Sequence, residues 1–277
     1  MVSFNTSSLI ISALVSGCIA LGALSWGYQR GATKQVHAVK DPNTCLYVPG
    51  GGFSGFFYHI GHLQATSTAK PTVSNIIAGS ESDNVDTDYY CYSAGCLAIT
   101  AALGNITVFD IIDALWDLQD LMRTGNISQF EMVEGFVDYL ISTGRERTLI
   151  DAALAKMHII TTAVLPAEGW LSPPKLETVV RTPQSLRELK EMLLQTTWIP
   201  GVTGNGWVSD DHLDGGLTTS SHPACSSAVE VPQFTWTWES LEFYANVLFG
   251  VTMSKEQAER FWFAGVKQGL QVAGRKV

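Results

Sequence analysis

The chain has 277 residues, 46% hydrophobic and 16% charged, enough for one sizeable core and too little for two ordinary domains with linkers. A formal charge of −9 without a basic run excludes a nucleic-acid stripe and argues against holding anionic lipid by bulk charge. The five cysteines (Cys18, Cys45, Cys91, Cys96, Cys225) are odd in number and contain no C-x-x-C pair, so neither a zinc site nor a disulfide framework is expected.

From Met1 to Gln29 no residue is charged, and "LIISALVSGCIALGALSWGY" is nearly continuous apolar sequence. Roughly 20 such residues match the hydrocarbon thickness of a bilayer. A single-pass anchor fits, with Trp26 and Tyr28 at one interface and Arg30, Lys34 and Lys40 beyond it. A cleaved signal peptide with small residues Ala23 and Ser25 near the cut is the alternative, although the usual basic start is missing. A buried core helix is the third reading. Basic residues only on the C-terminal flank favour a cytoplasmic body. Sequons at Asn105 and Asn126 matter only in a lumenal compartment. The expected layout is an anchor or signal segment with the polar linker "HAVKDPNT" over 1–44, and a folded domain over 45–277.

"CLYV" (45–48) is a short β-prone run ended by Pro49 and three glycines, and "FSGFFYHIGHLQA" (53–65) continues at helical spacing. A second apolar run, "NIIAG", leads through the acidic loop "SESDNVDTD" into the strand-like "YYCYS", after which 94–103 reads as helix. Capping-box signals start three further helices at Thr107 ("TVFD"), Ser128 ("SQFE") and Ser185 ("SLRE"). In the first of these, Val108, Ile111, Ile112, Leu115, Leu118 and Leu121 form an expected core face, while Asp110, Asp113, Asp117 and Asp120 form a solvated one. "HIITTAVLP" reads as a buried strand, "KLETVVR" as a weaker one, and "SKEQAERFWFAGVKQGLQV" as an amphipathic helix packed on the core. The alternation of strand, turn and helix predicts an α/β domain with a mainly parallel central sheet flanked by helices.

"PGGGFSG" satisfies G-x-G-x-x-G through Gly50, Gly52 and Gly55. The dinucleotide reading needs an acidic residue about 20 positions later, and Gly51 to Ser80 contains none, so no cofactor is expected. Glycines at a strand end followed by a helix instead present uncovered N–H groups to an anion, either a phosphate or a developing oxyanion. In "YCYSAG", Ser93 stands between strand and helix, where it is either an exposed nucleophile on a sharp turn or a helix N-cap. G-x-S-x-G is not intact, because Cys91 occupies the first glycine position. "DDHLDGGL" supplies Asp214 before two glycines, a candidate base or a simple Asp-Gly turn. His212 and His222 flank it, and the order Ser93, Asp214, His222 also fits an α/β-hydrolase triad. His59 and His62 on the first helix read as structural.

These three pieces in this order resemble the patatin-like phospholipase family, in its animal-type adipose lipase-like branch: "GGGFSGFFYHIG", "CYSAG", and "LLQTTWIPGVTG" leading to "LDGGLTTS". The likeness spans roughly residues 45–270. Two departures stand out, Cys91 in the serine turn and Ser54 where many patatins carry Arg or Lys. The resemblance implies a three-layer fold, Ser93 as nucleophile, Asp214 as its partner in a dyad without histidine, and an oxyanion hole from the backbone amides of Gly51 and Gly52 with Phe53. The reaction it implies is hydrolysis of fatty-acyl lipid esters through an acyl-enzyme, needing no metal or organic cofactor. The partner expected is a lipid ester at a membrane or lipid surface. Two other readings stand beside it: a catalytically silent patatin-fold protein that binds lipid or another protein, and an esterase with a Ser-Asp-His triad.

Overall fold

In the computed structural model, residues 44–69, 87–143, 150–151, 153–166, 174–218, 228–231 and 253–272 are described, all within one compact unit, Lys40–Val277. The apolar stretch 9–28, the linker, "NIIAG" and His222 lie outside them. Among the described residues no helix is long and apolar enough to cross a membrane.

The architecture is mixed α/β, a mostly parallel sheet flanked by helices. Its strands are β1 (Thr44–Val48), β2 (Thr87–Cys91), β3 (Met157–Leu165), β4 (Lys175–Arg181), β5 (His212–Asp214) and β6 (Ala228–Glu230). The sheet order is β4-β3-β2-β1-β6, with β5 also paired to β3. β6, β1, β2 and β3 are mutually parallel, and β4 and β5 run antiparallel to β3.

The inner strands bury both faces, which is why they read as near-continuous apolar runs. Leu46 and Val48 of β1, Tyr89 and Cys91 of β2, and Met157 and Ile159 of β3 enter the main core. The alternating residues Cys45, Tyr47, Tyr90 and Ile160 form a second cluster on the opposite face, as a period of two requires.

The helices are α1 (Gly52–Ala69), α2 (Ala94–Leu103), α3 (Val108–Arg123), α4 (Gln129–Thr143), α5 (Leu186–Thr196) and α6 (Lys255–Val272). All three capping signals act as helix starts. Thr107, Ser128 and Ser185 accept from the N–H of Asp110, Glu131 and Glu188, and Glu131 completes the reciprocal bond to the Ser128 N–H. The sequon asparagines Asn105 and Asn126 sit exposed in the turns at the two ends of α3.

One expected core position is displaced. Leu121 is 43% exposed, and Gln119 is buried in the stripe instead. Six residues past Leu115 the helix has turned to face about 120° away, whereas four residues past it the original face returns. α6 packs along α1 through small residues: a Cβ on Gly265 would lie 1.9 Å from the Tyr58 carbonyl oxygen, and one on Gly61 would lie 2.1 Å from that of Trp262. Gly265→Ala is therefore expected to push the two helices apart and destabilise the fold by about 1–3 kcal/mol. Chemical denaturation measures this, with the exposed Lys267→Ala on the same helix expected to stay within about 0.5 kcal/mol of the parent.

Candidate active site

β1 and β2 are parallel with Val48 opposite Cys91, so the turns that follow leave the same sheet edge at the same level. One carries Pro49–Gly52 and the other Tyr92–Ser93. β3 adds the third piece. Its residues 159–165 pair with β4 on one edge, which leaves the other edge to β2 over 157–159 and to β5 over 161–163. β5 therefore lies in the lane that β2 vacates. Counting two residues past the Cys91–Ile159 pair reaches Ser93 on one chain and Thr161 on the other, and Thr161 is the partner of Asp214. Strand register alone delivers hydroxyl and carboxylate to one place.

Side chains close the gap. The Ser93 hydroxyl lies beside the Asp214 carboxylate and lowers its pKa, and the carboxylate accepts the Gly216 N–H at 2.8 Å. Ser93 is 9% and Asp214 6% exposed. Burial pushes the Asp214 pKa up to about 6, more than the Ser93 hydroxyl and the Gly216 N–H pull it down.

Ser93 makes no side-chain capping bond and has φ 52° and ψ −134°. Among the described residues the other non-glycine residues at positive φ are Asn105, Asp210 and Asp211, types that tolerate this region. For serine it is a strained conformation, costing of order 1–3 kcal/mol and retained only where the surroundings enforce it. The N-cap reading of Ser93 thus does not describe its side chain.

What enforces the turn is visible in its contacts. The Ser93 N–H donates to Thr196 Oγ1 at 2.9 Å, and that hydroxyl donates to the Ile160 carbonyl at 2.6 Å. Two residues on, the Trp198 carbonyl accepts the Asp214 N–H at 2.9 Å, so the end of α5 holds both members of the pair. Gly95 is pressed on the end of β1, where a Cβ would fall 2.2 Å from the Val48 carbonyl oxygen.

The Tyr92 ring fits between the two glycine turns. A Cβ on Gly50 would meet it at 2.7 Å and Ser93 Cβ at 3.0 Å, and one on Gly216 would meet it at 3.0 Å. The glycine loop adjoins Ser93 for the same reason. It is fixed by the His59 Nε2–H, which donates to the Gly50 carbonyl at 3.2 Å, and burial lowers the His59 pKa to about 4, leaving the ring neutral. Gly51 has φ 153° and Gly52 φ 60°. α1 starts at Gly52, so the N–H groups of Gly52 and Phe53 have no carbonyl one turn earlier in the helix to bond. The Phe53 ring packs edge-on against Phe136 and ties this end of the loop to the core.

His212 is committed elsewhere, its Nδ1 lying 3.1 Å from Thr161 Oγ1. The Asp214 turn is pinned by threonines: Thr162 donates to the Asp214 carbonyl at 2.8 Å, and Thr162 and Thr178 both reach Thr218.

Two features escaped the sequence. Thr196 lies in "LLQTTWIPGVTG", but its bonds to Ser93 and Ile160 span 103 and 36 residues. The expectation of no disulfide framework is corrected: Cys91 and Cys96 are joined, with Cα atoms 5.0 Å apart, and Cys45 is disulfide-bonded as well. The spacing of five hid the pair, since it closes only because the chain reverses through Ser93 and Gly95 lets α2 approach. Among the described residues no three His, Cys, Asp or Glu side chains gather as a metal site would need.

No protein-family model matches the chain, and no curated protein matches it. Among solved structures, the heterodimeric complex ExoU-SpcU from the type III secretion system of Pseudomonas aeruginosa is similar at a TM-score of 0.31 and 15% identity. The match covers 83% of this chain and 52% of that one, so this chain spans about half its length. A likeness this low transfers neither fold nor function.

Thr196→Val removes both the acceptor of the Ser93 N–H and the donor to Ile160. It is expected to destabilise the fold by about 1–3 kcal/mol, with Thr196→Ser close to the parent, as measured by urea unfolding.

Proposed function

We propose that this chain is a patatin-like serine acyl hydrolase that cleaves fatty-acyl esters of lipids, with Ser93 as nucleophile and Asp214 as its base. The observation that carries the reading is that a serine at positive φ stands beside a buried carboxylate whose pKa is raised to about 6. A carboxylate at its ordinary pKa near 4 is a weak base for a hydroxyl; one near 6 is closer to the working pH and still ionised at neutrality. It accepts the Ser93 proton as Oγ attacks the ester carbonyl. The oxyanion then collapses, expels the alcohol with that proton and leaves an acyl-serine, which a water deprotonated by Asp214 hydrolyses.

The amides of Gly51, Gly52 and Phe53 are the proposed donors to the oxyanion. They stand at the start of α1, where the helix dipole adds to the N–H groups, and one such donor typically contributes about 3–4 kcal/mol to the transition state. An apolar acyl substrate is supported by exposed Ile199, Trp207 and Leu217, which lie on the loop leading to Asp214 and on the turn after it. The apolar stretch 9–28 would hold the enzyme against the lipid surface.

Full-length protein in detergent, assayed on a short-chain nitrophenyl ester and on phospholipid or triacylglycerol dispersions, tests this. Ser93→Ala and Asp214→Asn are each expected to lower kcat/KM by ~1000-fold or more. His212→Asn and His222→Ala should stay within a few-fold of wild type. Loss of activity in His222→Ala alone would favour the triad, and hydrolysis that survives Ser93→Ala would end the proposal.

The base must be ionised to work, so kcat/KM should rise with pH through a midpoint of about 6 and level off above it. His59 and His62 ionise only near pH 4, well below that midpoint.

A further inference from the structure

Cys91 occupies the position that glycine holds in G-x-S-x-G, and the structure couples it to Cys96, the third residue of α2. The bond brackets Tyr92, Ser93, Ala94 and Gly95, which are the residues of the strained turn. Both cysteines are 0% exposed and lie in the main core, on the face of the sheet where Val48 and Leu97 pack.

Further restraints act on the same turn. Thr196 takes the Ser93 N–H, and Gly95 presses α2 onto the end of β1. The first is a single hydrogen bond and the second limits only how close the helix comes. Two backbone bonds also close the turn, from the Gly95 N–H to the Tyr92 carbonyl at 3.1 Å and from the Cys96 N–H to the Ser93 carbonyl at 3.0 Å. The disulfide is the covalent tie between the end of β2 and the start of α2.

We infer that Cys91 and Cys96 are positioning residues for Ser93: their covalent link holds the turn in its strained conformation, and the site is competent only when the link is formed. The inference rests on the hydrolase reading above. Without the link only single hydrogen bonds hold the turn, which relaxes toward ordinary backbone angles and moves the Ser93 hydroxyl away from the Asp214 carboxylate. Displacements of about 1 Å at a reacting centre can cost ~100-fold in rate.

Forming the bond converts two thiols to one disulfide. The two electrons and two protons pass to an external disulfide oxidant by thiol–disulfide exchange. Since both sulfurs are buried, the exchange happens as the chain folds, so the pair is set once and is not a switch toggled in the native protein. Such a bond is made in an oxidising compartment. This places folding of the body outside the cytosol, opposite to the side that the flanking basic residues favour.

The test uses full-length protein made in an oxidising compartment and, in parallel, in a reducing cytosol. Peptide mapping without reductant is expected to recover a linked Cys91–Cys96 peptide from the first preparation. A fluorophosphonate probe should label Ser93 in that preparation and should label Cys91→Ser/Cys96→Ser 10- to 100-fold more slowly. Rates are compared at a temperature where circular dichroism finds both folded, so that a mere loss of stability does not register. The variant can instead fail to fold. Wild type reduced in mild denaturant and returned to buffer, compared with a portion reoxidised in the denaturant before its return, supplies the second measurement, with labelling lost in the first and regained in the second together with the bond. Equal labelling of the double variant, or of cytosolic protein carrying both thiols free, overturns the inference and leaves the hydrolase reading intact. Absence of Ser93 labelling in oxidised wild type overturns the hydrolase reading, and the inference with it.

Discussion

One edge of β3 serves two strands in succession, and the rest of the site follows from that sharing. β2 uses the edge up to Ile159 and then turns away through Ser93; β5 arrives from the opposite direction and ends at Thr161 with Asp214. A parallel strand and an antiparallel one thus meet tip to tip, and the residues at the two tips are the proposed pair, Ser93 and Asp214. A slip of one residue in either pairing would turn one of the two side chains to the other face of the sheet. The threonines on β3 and β4 guard against that slip by holding the Asp214 turn through Thr162, Thr178 and Thr218.

The local structure resolves a competition between stability and reactivity. Serine at positive φ and a carboxylate out of water are both unfavourable alone. Each is offset locally: by the Thr196 hydroxyl and the Cys91–Cys96 link at the turn, and by the Gly216 N–H, with the Ser93 hydroxyl alongside, at the carboxylate. The glycines act by absence of a side chain. Gly50 and Gly216 leave room for the Tyr92 ring, and Gly95 allows backbone contact between α2 and β1.

How much of this the sequence discloses depends on the range of the interaction. The capping helices at Thr107, Ser128 and Ser185 are readable because donor and acceptor lie three residues apart. The inner strands β1, β2 and β3 are readable because both faces are buried and the apolar runs are nearly continuous, whereas the three-residue β5 and β6 carry no such signal. Ser93, Asp214 and the glycine loop are singled out by turn chemistry, yet their convergence depends on a register that no local signal carries. Thr196 and the cysteine pair are silent in the sequence for the same reason: their meaning comes from a chain reversal or from contacts many residues away. Leu121 shows the opposite error, where a regular spacing is extended one step beyond the core it serves.

In the proposed reaction the Ser93 oxygen forms a covalent bond to an acyl group. Mixing oxidised full-length protein with a nitrophenyl ester, quenching in acid within the first turnovers and mapping peptides by mass spectrometry measures this directly. The account predicts an added acyl mass on the peptide bearing Ser93, increased when hydrolysis is slowed by lowering the pH below about 6 after acylation. Turnover of the ester with no acyl group on Ser93, or with the acyl group on another residue, would contradict it.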